Sequence, residues 1–218
     1  MKKSFIVIGL GRFGLSIVKT LEELKSDVVA IDIDENAVAK AADYTDNCVV
    51  CDSTNKAALV ELGVSNIDHA VVAIGNNLQA TILTVINLSE LGVKRISVRI
   101  DHEDYKLVMK RIGATDVIIP EEVSAISFAN QIVSNCILEY YRIDKNYGIV
   151  KIVVGANYKP TKLVDMDTRN AYGVNIIGII RSDNFIQPTA NDTIDASDVL
   201  LVFGKTPDIS KFEQNINK

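Results

Sequence analysis

The sequence predicts a parallel α/β sheet wound on both faces, followed by a smaller α+β module, and three observations predict it. An apolar run, Phe5-Ile6-Val7-Ile8, leads into Gly9-Leu10-Gly11-Arg12-Phe13-Gly14 and then into a helical pattern from Leu15. Further β-rich runs alternate with helical patterns as far as Pro120, an order that sets strands in parallel with helices on both faces. From Ile143 onward the texture changes to short β-rich runs split by turn signals.

The glycine stretch comes first because the rest is arranged around it. Gly9 lets the chain turn sharply, Gly11 lets the backbone approach a phosphate, and Gly14 lets the following helix pack closely; the unpaired N–H groups of the helix start then face an anion. Val28-Val29-Ala30-Ile31 ends on Asp32, close to the spacing of ~20 residues at which an acid meets a ribose. A strand before, a helix after and an acid at this distance point to an adenine nucleotide; the alternative is a turn that merely needs glycine.

The apolar runs are Phe5 to Ile8, Val28 to Ile31, Cys48 to Cys51, Ala70 to Ile74, Ile96 to Arg99 and Val117 to Ile119. Helical patterns lie near Leu15 to Leu24, Glu35 to Tyr44, Lys56 to Leu62, Leu78 to Leu91 and Glu103 to Ile112. In such a sheet a nucleotide sits across the carboxyl ends of the strands, so those ends supply the candidate ligands. Asp32 takes the ribose hydroxyls and favours a free 2′-hydroxyl, whereas Asp34 reads as a helix N-cap. Asp52 and Ser53 meet the adenine edge or cap the helix at Lys56. Ala73-Ile74-Gly75-Asn76-Asn77 offers a close-approach glycine and two amides, either of which also suits a cap. Arg12, inside the glycine loop, either reaches a terminal phosphate that a dinucleotide lacks or is a solvated surface arginine, and Arg99 on the same rim carries the same two readings.

Beyond Pro120 a long helix is expected from Glu121 to about Tyr141. Its apolar residues form two stripes, Val123/Ile126/Val133/Ile137/Tyr140 and Ala125/Phe128/Ile132/Cys136, where a surface helix needs one. A second subunit or the downstream domain would bury the surplus. Glu121 suits the helix dipole, or places a carboxylate near a cation on the terminal phosphate. The texture change divides the chain into residues 1–142 and 143–218. In the second part Ile149 to Val154, Asn175 to Arg181, Phe185 to Gln187 and Val199 to Phe203 read as strands, Ser182-Asp183-Asn184 as a hairpin turn and Pro207 to Asn215 as a closing helix.

Composition narrows the function classes. A net charge of −5 over 218 residues gives no basic footprint for nucleic acid. No apolar run approaches the ~20 residues of a membrane span, and Met1-Lys2-Lys3-Ser4 enters a strand without a signal-peptide core, so a cytoplasmic protein is expected. Cys48-Val49-Val50-Cys51 has redox or metal spacing, but in a strand those thiols face opposite ways, and with Cys136 they read as buried structural cysteines. His69 and His102 are the only histidines, and neither a serine elbow nor a carboxylate pair placed for catalysis is visible.

Gly9-Leu10-Gly11-Arg12-Phe13-Gly14 with Ser16, then Asp32, Asp52, Ala73-Ile74-Gly75, Arg99, Pro120-Glu121 and Asp198-Val199-Leu200-Leu201-Val202-Phe203-Gly204, resemble the cytosolic gating subunits of bacterial potassium uptake systems of the KtrA/TrkA type. The resemblance covers essentially the whole chain. It implies a Rossmann-like regulator-of-potassium-conductance (RCK) N-terminal domain, a small RCK C-terminal domain, and a homo-octameric ring built from dimers under an integral membrane pore subunit of the KtrB/TrkH type. ATP and ADP would exchange in the first domain, with Arg12 on the γ-phosphate and Glu121 near a divalent or sodium cation. The C-terminal domain resembles a cyclic di-AMP receptor in which Leu163, Val164 and Ile176 wall the adenine, Arg169 meets phosphate and Asn175 the base, with Asp167 and Pro188 at matching spacing. Read without the resemblance, those residues are core, a surface ion pair and a turn proline. The competing class is an NAD-dependent oxidoreductase, or an NAD(H)-binding regulator, since Asp32 serves either nucleotide; a dehydrogenase also needs a placed proton donor, and none is visible.

Overall fold

The structure, a computed structural model, describes residues 3–75 and 77–217. Tertiary contacts divide the chain into two compact units, Met1–Glu121 and Glu122–Lys218, so this cut falls in the first turn of the helix that opens at Pro120, whereas the texture change lies near residue 142.

In the first unit β1 (Ser4–Ile8), α1 (Arg12–Glu23), β2 (Asp27–Asp32), α2 (Glu35–Ala41), β3 (Cys48–Val50), α3 (Lys56–Glu61), β4 (His69–Val72), α4 (Leu78–Glu90), β5 (Ile96–Arg99), α5 (Lys106–Arg111) and β6 (Asp116–Ile118) alternate as expected. The six strands order as β3-β2-β1-β4-β5-β6, every pairing parallel. Alternate residues of each strand feed two cores, as a sheet covered on both faces requires. Ile6, Ile8, Ile31, Val72 and Val98 pack with Leu59, Leu88 and Met109 on one face. Val7, Val28, Ala30 and Val71 pack with Val18 and Ala41 on the other. Cys51 joins the first face and Cys48 the second, both as free thiols, so the opposite-face reading holds. Both are half-buried where burial was expected, because β3 is the sheet edge.

The second unit holds most of α6 (Pro120–Val133), then β7 (Ile137–Arg142), β8 (Tyr147–Val153), β9 (Thr161–Lys162), α7 (Leu163–Met166), α8 (Thr168–Tyr172), β10 (Asn175–Arg181), β11 (Asn184–Ile186), β12 (Thr193–Ile194), β13 (Val199–Lys205) and α9 (Thr206–Ile216). Five strands form an antiparallel sheet, β11-β10-β13-β8-β7, and β12 pairs with β9. One sheet face, with Val150, Ile152, Leu200 and Val202, packs under Ile209, Phe212 and Ile216 of α9. The ion pair of Arg181 with Asp198 ties β10 to the turn before β13.

The long helix expected to reach Tyr141 ends at Val133, and Ile137–Arg142 is a strand paired with β8. Ser134 stops the helix: its Oγ accepts the N–H groups of Cys136 and Ile137 and donates to Glu213, a local alternative to helical bonding. The first stripe therefore mixed helix residues Val123, Ile126 and Val133 with strand residues Ile137 and Tyr140, and Cys136 of the second lies past the helix end. What remains of α6 has no fully buried residue, with Val123, Phe128, Ile132 and Val133 all largely exposed.

Candidate nucleotide site

A cleft of about 670 Å³ opens at the carboxyl ends of β1, β2, β3 and β4. The chain leaves β1 for β2 on one side of it while β4 flanks β1 on the other, which is the switch point of a doubly wound sheet. Gly9, Gly11, Asp32, Asp52, Ser53, Ala73, Ile74 and Gly75, all read from the sequence as site residues, line it together. Asn76 lies outside the described residues.

Each glycine has a distinct physical role. Gly9 takes φ +94°, and a Cβ there would lie 2.7 Å from the Ala73 carbonyl carbon and the Ile74 nitrogen. At Gly14 a Cβ would overlap the Gly9 carbonyl oxygen and come within 3.3 Å of the Ala73 Cβ, so this glycine lets α1 press onto the loop and onto the end of β4. Gly11 has an ordinary extended φ of −63°, and a Cβ there meets nothing within 4 Å. What glycine provides at that position is open space beside the cleft. Gly11 is also the N-cap of α1 and bonds no helix amide by a side chain, whereas α2, α3 and α4 are capped by Asp34, Asn55 and Asn77. Among the described residues, α1 thus presents amides at the cleft that no side chain covers.

Asp32 is held before any ligand arrives. Its Oδ2 accepts the Leu10 N–H at 2.6 Å and its Oδ1 the Asp34 N–H at 3.0 Å, which ties the end of β2 to the glycine loop. Asp34 caps α2 as expected. Asp52 does not cap the helix at Lys56, a role Asn55 fills; its Oδ1 instead accepts from the Thr54 N–H and hydroxyl in an Asx turn. Ser53 is buried with its hydroxyl 2.7 Å from that of Thr84, so its backbone borders the cleft while its side chain belongs to the packing of α4. Asn77 lines the cleft too and takes the cap role, its Oδ1 accepting the Ala80 N–H, while Ile33, Cys51, Thr54 and Ala80 line it without having been expected there. Ile33, 69% exposed directly after the ribose-side acid, carried a readable signal: a large apolar residue at a strand end with nothing to pack on.

Arg12 is the first residue of α1, exposed at the rim, with Phe13 half-buried behind it. Arg99 and Glu121 meet each other: Arg99 Nη2 donates to Glu121 Oε1 at 2.7 Å, and it forms an ion pair with Asp101 Oδ1 at 2.9 Å. The Glu121 carboxyl is held below its ordinary value by its own backbone N–H first, then by Arg99, with Arg12 adding to the effect. No group of three His, Cys, Asp or Glu side chains is assembled for a metal among the described residues.

In the second unit Leu163 and Val164 open α7, and their N–H groups bond to Asp192 and Ala190 in the loop that follows Pro188. Asp167 joins α7 to α8 at φ +40° and accepts both bonds from Asn170 Nδ2, so it does not pair with Arg169 on the surface. Arg169 is exposed on α8, Asn175 and Ile176 start β10, and Leu163 and Ile176 pack against the core of this unit.

A doubly wound sheet with a glycine-walled cleft at its switch point, followed in the chain by a small antiparallel α+β module, defines a Rossmann-type protein with a second, smaller domain. The chain belongs to the TrkA family of KtrA/TrkA-type proteins: the TrkA-N domain model matches residues 5–120 and the TrkA-C domain model residues 149–217. It is 42% identical over 217 residues to Ktr system potassium uptake protein C of Bacillus subtilis, covering 99% of this chain and 98% of that one. With Ktr system potassium uptake protein A of the same organism the identity is 34%, covering 97% and 96%. Among solved structures, the GsuK channel bound to NAD has the same fold over 100% of this chain and 40% of its own, at a TM-score of 0.67 and 13% identity. The resemblance read from the glycine loop and the C-terminal motif is thereby borne out, as are the RCK-type α/β and α+β parts.

Proposed function

We propose that this chain is a nonenzymatic, nucleotide-sensing gating subunit of a bacterial potassium uptake system, binding ATP or ADP in the cleft of its first unit. One observation carries the reading: an α1 start with no side-chain cap faces, across the same cleft, a carboxylate already oriented for a ribose. Relatedness to Ktr potassium uptake proteins over nearly the full length of both chains supplies the transport context.

In this reading the main chain around Gly9 and Gly11 cradles the phosphates, Asp32 takes the ribose, and Asp52, Ser53, Ala73, Ile74 and Gly75 border the base and sugar. Arg12 sits on the γ-phosphate. Glu121, with phosphate oxygens of the nucleotide, holds a divalent or sodium cation. The exposed apolar side of α6 packs against a second copy, and dimers close into an octameric ring on the cytoplasmic face of a KtrB/TrkH-type pore. The second unit takes cyclic di-AMP, with half-buried Leu163 and exposed Val164 as adenine walls and solvent-accessible Arg169 for phosphate. A ligand biases two states only through its difference in affinity between them, and a tenfold difference supplies ~1.4 kcal/mol per site.

Calorimetry on the full chain with ATP, ADP, NAD and cyclic di-AMP tests this. Arg12→Ala should weaken ATP at least tenfold and ADP far less, and Arg169→Ala should weaken cyclic di-AMP alone. Equal losses of ATP and ADP would remove Arg12 from the γ-phosphate. Tighter binding of NAD than of ATP or ADP would favour the dinucleotide reading, and hydride turnover would refute a nonenzymatic one.

A further inference from the structure

The half-buried Asn87 stands in the third turn of α4, an interior helix position that asparagine suits poorly. Its side chain reaches the turn that follows β3, where Nδ2 donates to the Ser53 carbonyl at 3.2 Å and to the Thr54 carbonyl at 3.0 Å. The NH2 end of an amide has two protons, one for each acceptor, so these bonds also fix which way the side chain is turned. The two carbonyls belong to successive peptides. In a planar trans peptide the N–H points opposite to the C=O, and the N–H groups of both peptides go to one residue, Asp52. The Thr54 N–H donates to Asp52 Oδ1 at 2.9 Å, and the Asn55 N–H to the Asp52 carbonyl at 3.0 Å. The Thr54 hydroxyl adds a second bond to Oδ1 at 2.7 Å. Asp52 lines the nucleotide cleft, and with Oδ1 taken twice its Oδ2 is the carboxylate oxygen left without a bond among the described residues. One turn earlier on α4 the buried Thr84 meets Ser53 through hydroxyls 2.7 Å apart and bonds neither carbonyl.

We infer that Asn87 is a positioning residue for base recognition: through these two peptides it aims Asp52 Oδ2 at the purine edge and sets a preference for a 6-aminopurine over a 6-oxopurine. An ionised carboxylate only accepts hydrogen bonds. The exocyclic amine of adenine donates to it. A 6-oxopurine sets an acceptor at that place and carries its proton one position on, at N1, where a carboxylate on a slack turn would swing to meet it. Discrimination therefore requires that the carboxylate not swing, and a rigid helix supplies that through Asn87. The Thr54 bonds hold Oδ1 against the turn, and Asn87 holds the turn against α4. The inference rests on the adenine-nucleotide reading of the cleft and adds to it the device that selects the base.

The test uses the full chain and calorimetric titration of ADP against inosine diphosphate, which differs from ADP only in its 6-oxo group and N1 proton. The parent should prefer ADP by about tenfold or more, the scale of one hydrogen bond to a charged group. Asn87→Leu lies outside the buried core, so the variant folds, and it should bring the two affinities within about twofold of each other by weakening ADP. Asn87→Gln, a donor amide on a longer arm, should recover part of the preference. Asp52→Asn keeps an acceptor for Thr54 and turns a donor to the base, so it should reverse the preference in the parent and fail to do so once Asn87 is leucine. Thr84→Val loses the α4 contact to Ser53 but neither carbonyl bond, and should lower the melting temperature of the ligand-free chain with the preference intact. An Asn87→Leu chain that melts lower yet keeps the parent preference would reduce Asn87 to a structural bond and overturn the inference. Additive effects of the Asn87 and Asp52 substitutions, or equal binding of both diphosphates by the parent, would overturn it too. A parent that binds neither would instead overturn the cleft reading beneath it.

Discussion

Gly11 and Gly14 stand three residues apart, and alanine at the two positions should have opposite consequences. At Gly14 the added Cβ would overlap the Gly9 carbonyl oxygen and reach the Gly9 carbonyl carbon at 3.0 Å, backbone that cannot swing aside as a side chain would. Alanine in a helix interior gains ~1 kcal/mol over glycine, but overpacking a tight contact costs ~1–3 kcal/mol and more where the neighbour is main chain. The net is a loss of about 2 kcal/mol, which lowers the Tm of a unit this size by roughly 10 °C. At Gly11 the new methyl meets nothing within 4 Å and φ is −63°, so only the weaker N-cap of alanine registers, a loss of under ~1 kcal/mol. In the proposed reading phosphate oxygens approach the α1 amides beside that methyl, so Gly11→Ala should lose nucleotide affinity by tenfold or more while melting nearly as the parent does. Thermal unfolding of the ligand-free chain, with calorimetric titration of ATP, separates the two variants. Parent-like melting of Gly14→Ala, or equal destabilisation by both, would refute the assignment of one glycine to packing and the other to ligand space.

Three further outcomes concern the second unit. Asp198 is 2% exposed; burial alone would raise its carboxyl, but the bonds from Arg181 and the Asp195 N–H outweigh burial and hold it below the ordinary value. A depressed carboxyl stabilises the fold above its unfolded value and loses that contribution as pH falls through the folded one, so the midpoint of this unit should drop below about pH 4 and Asp198→Asn should flatten that drop. Arg181→Ala, which strands the buried carboxylate, should cost ~3–5 kcal/mol by urea unfolding near neutral pH. Phe128→Glu, on an α6 side chain that is 62% exposed, should leave the fold intact and shift the sedimentation profile toward smaller species; an unchanged profile would detach α6 from assembly.

The first unit was legible because its signals are local: β-branched runs of strand length, glycines at turns, and caps such as Asp34 one residue before a helix. The glycine loop could be assigned residue by residue for the same reason. Legibility failed where a partner distant in sequence decides the outcome. Ser53 looked like a ligand or a cap until Thr84, a helix away, took its hydroxyl, and Arg99 and Glu121 read as separate ligands until the fold joined them. In the second half Ile137, Tyr140 and Cys136 fit a helical period as well as a strand, and Ser134 with its bond to Glu213 broke the tie. The short α7, α8, β9 and β12 span too few residues for any periodicity to register.

The bond from Leu10 N–H to Asp32 Oδ2 joins two segments that a nucleotide would otherwise have to gather for itself. A receptor fastened in this way meets its ligand as a finished mould: little disorder is lost on capture, and release need not wait for the loop to melt. In the proposed reading, occupancy would follow the ratio of cellular nucleotides promptly, leaving the slower rearrangements to whatever the rest of the chain is coupled to.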